Sequence, residues 1–137
     1  MAGLKALLAT GFVAATLLLA RGQDTTNTIQ SLMAARNEAA QKVWTLATKL
    51  SGTSEDMFGD QVGESRQRWS LRLAESAADA GVLSIQGAYA QHLARMTEFA
   101  ESTKRQSERG RCGSLEVAVA DYFVSDARVR VERSKAK

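Results

Sequence analysis

Proline is absent from the 137 residues, and cysteine and histidine occur once each. Without proline the chain lacks the strongest helix breaker, so long uninterrupted helices are open to it. One thiol, Cys112, excludes an internal disulfide, and the fold must hold by packing alone. One imidazole and one thiol fall short of the ligand set that a zinc site normally uses. Aromatic residues are only 6% of the chain, and alanine is abundant, which argues for helix over sheet. No glycine-rich phosphate loop is present: Gly110-Arg111-Cys112-Gly113 is too short and lacks the lysine and hydroxyl. Nucleophilic triad chemistry needs an oriented imidazole, and His92 has no acid at useful spacing. Asp121 and Asp126 would have to be brought to it by the fold. No catalytic set is legible.

What is present begins at the N-terminus. Lys5 precedes an uncharged stretch over residues 6–20, and Ala20-Arg21-Gly22 then places small residues two apart. This is the layout of a secretory signal peptide, with cleavage expected after Gly22. The competing reading is a retained membrane anchor. At about 1.5 Å per residue the stretch spans roughly 22 Å, short of the roughly 30 Å hydrocarbon core. Gly11, Thr10 and Thr16 dilute it further. The expected organisation is a leader over 1–22 and a single helical domain with a basic tail over 23–137. The protein is expected to be exported, periplasmic or extracellular, and to meet the membrane only if the leader stays attached.

Removing residues 1–22 also removes Lys5 and Arg21, so 18 bases become 16 against 15 acids. The basic balance of the whole chain therefore carries little weight for nucleic acid, and no specific nucleic-acid partner is expected. The charge is nevertheless uneven. Residues 53–64 hold Glu55, Asp56, Asp60 and Glu64 without a base. The last ten residues hold Arg128, Arg130, Arg133, Lys135 and Lys137 against Glu132 alone. Such a tail suits the negative end of a helix dipole better than it identifies a ligand.

Four helices are predicted. Thr25 to Asn27 supply start signals for the first, whose row is Ile29, Leu32, Arg36, Ala39, Val43, Leu46 and Leu50. Met33, Ala40 and Ala47 widen that row. An acidic break over 52–63 follows, with Met57 and Phe58 as candidates to pin it to the core. The second helix is read over about 64–80, with Trp69, Leu73, Ala77 and Ala80 inward and Arg66, Arg68, Arg72 and Glu75 outward; Gly81 ends or bends it. The third begins near Ser84 and carries Ile85, Tyr89, His92, Met96, Phe99 and Thr103 in 3–4 order. Ser114 caps the fourth, whose apolar residues cover more than one face, implying a central element. The alternation Val129-Arg130-Val131 reads locally as a strand but would have no partner. The fold class is therefore all-α, an antiparallel hairpin or bundle. Trp69, Tyr89, Met96, Phe99 and Tyr122 are expected to converge in one interior cluster, extended by Leu115 and Val119.

Three patterns touch on chemistry. His92 and Met96 stand one helical turn apart, and imidazole with thioether can reach a soft metal such as copper. Interior packing accounts for the same pair, with Met as filler. No metal or other cofactor is therefore expected, with His92, Met96 and Cys112 the residues nearest to a ligand set. Arg66, Arg68 and Arg72 around Trp69 form a basic stripe with a stacking aromatic, interrupted by Glu64, Glu75 and Asp79, and read as a solvated face. Cys112 lies in a predicted turn between Arg109, Arg111 and two glycines. Those cations favour its thiolate, and it offers a route to a disulfide-linked dimer.

Three segments, Arg68-Trp-Ser-Leu-Arg-Leu-Ala-Glu75, residues 90–101 around His92-Leu-Ala-Arg-Met96, and residues 113–132 opening Gly113-Ser-Leu, together resemble a group of small exported helical proteins of planctomycete-type bacteria. The resemblance implies a secreted helical protein and carries no catalytic residues. A remoter likeness is to the helical hairpins of outer-membrane efflux proteins, whose barrel strands this chain lacks. The expected function is a noncatalytic interaction or structural protein of the cell envelope, its protein or envelope partner unidentified. The alternative is a periplasmic metal or stress sensor built on a helical hairpin.

Overall fold

The computed structural model describes residues 4–50 and 62–136. Residues 52–61 of the acidic break, with Met57 and Phe58, lie outside the described residues, as do the side chains of the leader; Val62 and Gly63, read as the end of that break, already belong to α2. Four helices follow one another: α1 (Leu4–Leu50), α2 (Val62–Asp79), α3 (Ile85–Glu108) and α4 (Ser114–Lys135). The fold is all-α, with no strand among the described residues. Val129 to Val131 belong to α4, so the alternation there is helical. No helix among the described residues is long and apolar enough to cross a membrane.

The chain divides into two compact units, residues 1–33 and 34–137. In the first unit, α1 runs unbroken through the predicted start at Thr25 to Asn27. The reason is local. Thr26 and Thr28 donate their hydroxyls back to the carbonyls of Gly22 and Asp24, each at 2.9 Å. A threonine spent on the carbonyl four residues earlier continues a helix instead of capping one.

In the second unit the rest of α1 lies against α2, and α2, α3 and α4 run up and down. Arg36 of α1 pairs with Asp79, and Ser76 donates to Asn37 at 3.2 Å, both at the end of α2. Gln86 at the start of α3 reaches the carbonyl of Ser134 at the end of α4. Two glycines make the reversals. Gly81 and Gly110 adopt φ of 70° and 68°, a region closed to most side chains. At the first, Gly81 N–H donates to the Ala78 carbonyl and Val82 N–H to that of Ala77. At the second, Gly110 donates to Ser107 and Arg111 to Gln106. Both are Schellman stops that satisfy the last carbonyls of the preceding helix.

The helix starts are equally defined. Ser84 caps α3, its hydroxyl accepting from Gly87 N–H at 3.0 Å, as its position predicts. Ser114 does not cap α4. Gly113 holds the cap position, and its N–H donates to the Glu116 carboxylate at 3.0 Å.

Small residues dominate the interior. Ala40, Ala47, Ala74, Ala77, Ala88, Ala120 and Ala127 are buried, together with Ser70, Ser76 and Asn37. Met96 and Phe123 meet Ala127 in the main apolar cluster, with Leu93, Phe99 and Val124 packed against it. Of the predicted convergence, Met96 and Phe99 meet in this cluster, whereas Tyr89 and Trp69 stand outside it, Trp69 at the groove beside α1, and the α4 residues fail. Met96 is buried and Tyr89 and Phe99 are half-buried, but Tyr122, Leu115 and Val119 are 66%, 73% and 38% exposed. Phe123, the next residue along, takes the interior place. In α1 the inner face is Asn37, Ala40 and Ala47, while Ile29, Leu32 and Leu46 are exposed.

Candidate functional site: a sealed polar node and an outward apolar seam

Serine at position 70 of α2 has neighbours Trp69 and Leu71, and nothing local marks it. The fold places its side chain, fully buried, against that of His92 on α3. Ser70 Oγ lies 2.8 Å from His92 Nδ1. Arg95, three residues on, donates Nε to the same Oγ at 2.8 Å and Nη2 to the Ser70 carbonyl at 3.1 Å. With Arg95 donating to the hydroxyl oxygen, the hydroxyl hydrogen is best used on Nδ1. That assigns the imidazole proton to Nε2. Nε2 is buried and has no hydrogen-bond partner among the described residues.

The electrostatics follow from this enclosure. The pKa of His92 is lowered from 6.5 to about 4, first by burial, then by the positive charges of Arg95 and Arg130. Asp126 pulls the other way and is outweighed. Asp126 is instead bonded to Arg130, one turn along α4, at 2.9 Å. Burial likewise lowers the Arg95 pKa from its ordinary value, and the guanidinium lies over the ring of Trp44 in α1 at 5.5 Å. The node thus ties α1, α2 and α3 together around a neutral imidazole.

Its geometry bears on catalysis. A serine hydroxyl and an imidazole at hydrogen-bond distance are the first two members of a nucleophilic set. Here both side chains have no exposed surface, so no substrate reaches either atom. Asp121, one of the two acids considered as a third member, is exposed, and Asp126 is committed to Arg130.

Of the metal candidates only two stay together, and Cys112 is kept apart from them. His92 and Met96 share the inner face of α3, both fully buried, as their spacing requires. Cys112 is half-buried and donates its thiol to the Thr103 carbonyl at 3.3 Å. Thr103 stands about 16 Å beyond His92 along α3, so the thiol is remote from the imidazole. Among the described residues no group of three or more His, Cys, Asp or Glu could hold a metal ion.

The basic stripe of α2 is split by the fold. Arg66 lies over the ring of Phe99 on α3 at 5.3 Å, and Arg72 over Trp69 at 5.0 Å. Trp69 and Arg72 then border an open groove of about 430 Å³ between α1 and α2, floored by Ala40 and Val43. Glu75 and the bonded Arg36–Asp79 pair balance its charge. Nothing there selects an anion.

The feature that stands out on the surface is the outer face of α4. Leu115, Val119, Tyr122 and Val129 are all exposed, at 73%, 38%, 66% and 45%. Their spacing of four, three and seven residues is that of a helix–helix seam, with Asp126 in the remaining place. The inner row of the same helix is Ala120, Phe123, Ala127 and Ser134. Sequence periodicity registers two apolar faces on α4 but not which of them is covered. No family model matches the chain, and neither a curated protein nor a solved structure matches it.

Proposed function

We propose that this is a noncatalytic helical interaction protein of the cell envelope, exported by a leader over residues 1–22 and working outside the cytoplasm. The observation that carries the reading is the outward seam of α4. Four large apolar side chains stand in 3–4 order on one exposed helix face, where a chain with no partner gains nothing from them. The sealed node supports the noncatalytic half. Its serine and imidazole, the groups best placed for chemistry, act as an internal fastener between helices.

Capture of the tagged chain from the envelope of the producing cell tests the reading. A protein should be retained by the parent chain and lost with Tyr122→Glu, a substitution at a 66% exposed position that leaves the interior intact. Equal capture by parent and variant removes the seam from consideration and the reading with it.

A further inference from the structure

We infer that the outer face of α4 pairs, antiparallel, with the same face of a second copy of this chain. The inference rests on the interaction reading above and names its partner.

Charge along α4 supplies the argument. From Ser114 to Val124 the helix holds Glu116 and Asp121 and no base. From Ser125 to Lys135 it holds Arg128, Arg130, Arg133 and Lys135 against Asp126 and Glu132. The first half is thus net −2 and the second net +2. Two such helices side by side in parallel set like charge against like. Turned antiparallel, each acidic half meets a basic half, and the helix dipoles oppose as well. One helix carries both signs in the order that its own reversed copy needs.

Side-chain placement agrees with that orientation. Laid antiparallel over their whole length, the seams bring Val119 opposite Val129 of the second copy, and Tyr122 opposite its Asp126. Leu115 then meets the methylene stem of Arg133, and Glu116 comes beside Arg130 of the second copy. Tyr122 can donate its phenol to the facing carboxylate, which adds a second donor to the one acid within the seam beside the Arg130 that already holds it. Ala118 and Ser125 flank the seam, both exposed and both small, and let two helix backbones approach. Cys112 lies just before α4, so antiparallel pairing holds the two thiols about 36 Å apart, at opposite ends. The copies are joined by the seam and not by a disulfide.

Sedimentation equilibrium of the full chain purified from the producing cell tests the pairing. The parent should show the mass of two chains, and Tyr122→Glu the mass of one with unchanged far-ultraviolet dichroism. Orientation is read by crosslinking in a Cys112→Ser background. Val119→Cys and Val129→Cys chains should form disulfide dimers when mixed, and neither should do so alone. Crosslinking of each variant with itself would show parallel pairing and overturn the inference. A parent of single-chain mass would overturn it too. If that monomer still captures another protein through the seam, the pairing alone has failed; if it captures none, the interaction reading has failed with it.

Discussion

Acidification should loosen this protein through one residue. His92 is neutral in the fold, with its pKa lowered to about 4 against 6.5 for a free imidazole. Above about pH 6.5 neither the folded nor the unfolded imidazole holds the extra proton, and His92 contributes its full share of stability. Between about pH 6.5 and 4 the unfolded chain takes up a proton that the folded chain refuses, so stability falls with pH. The slope approaches about 1.4 kcal/mol per pH unit, and the whole loss is about 3 kcal/mol. Against a total of about 5–15 kcal/mol for a domain of this size, that is a large fraction. The reason is structural. A proton on Nδ1 would meet the Ser70 oxygen that already accepts from Arg95, beside two guanidinium groups. The single histidine is the one side chain whose ordinary pKa falls at this window, while the carboxylates titrate chiefly below it. Urea unfolding followed by far-ultraviolet dichroism across that window gives the slope directly. His92→Gln, whose amide oxygen can accept from Ser70, should show a flat profile there. A flat parent profile, or a variant that falls in parallel, would refute the assignment.

Phe123→Ala should cost about 3–5 kcal/mol, because Phe123 fills the cluster around Met96. Tyr122→Ala, one residue away but exposed, should change monomer stability by no more than about 0.5 kcal/mol in dilute solution. Urea titration of both variants checks the register of α4. Gly81→Ala should cost about 1–2 kcal/mol through its φ of 70° alone, since no atom lies within 4 Å of an added Cβ. Gly81→Asn should cost less, and equal losses would count against backbone strain as the cause. Intact mass of the native chain should start at Gln23, and a mass retaining residues 1–22 would refute removal of the leader.

How much of this was legible depended on whether the signal was local. Gly81 and Gly110 as stops, and Ser84 as a start, are each written within a few residues of the feature they create. The register of α3 was legible because Tyr89, His92, Met96, Phe99 and Thr103 repeat at strict 3–4 spacing, although Ile85, first in that row, is exposed at the start of the helix. In α2 the inward row included Trp69 and Leu73, yet Ser70 and Ala74 are the buried residues beside them. Small side chains are compatible with either face, so hydrophobic spacing does not resolve a rotation of one position. The partners of Ser70 were out of reach for another reason. His92 and Arg95 lie 22 and 25 residues away on another helix. No periodicity within one helix encodes that meeting. Arg95 was hidden further, because an arginine beside the inner row of a helix has the same local pattern whether its guanidinium turns inward or to solvent.

The interior explains why α4 carries its large side chains outward. Among the described residues the largest fully buried side chains are Met96, His92 and Ser70, so the helices approach closely around alanine and serine and bury little apolar surface each. Such a core orders the helices through specific contacts, the Ser70–His92–Arg95 node and the Ser76–Asn37 bond, more than through transfer of apolar area. Pairing through α4 would add the missing term from outside. Stability gained by association grows with the logarithm of chain concentration, whereas the share from His92 does not depend on concentration at all. The two contributions are therefore separable in one experiment. Unfolding midpoints measured at two concentrations should shift together at every pH, with the pH slope between about 6.5 and 5 unchanged. A slope that changed with concentration would mean that pairing and protonation act on the same contacts, through Asp126 and Arg130, which lie between the seam and the node.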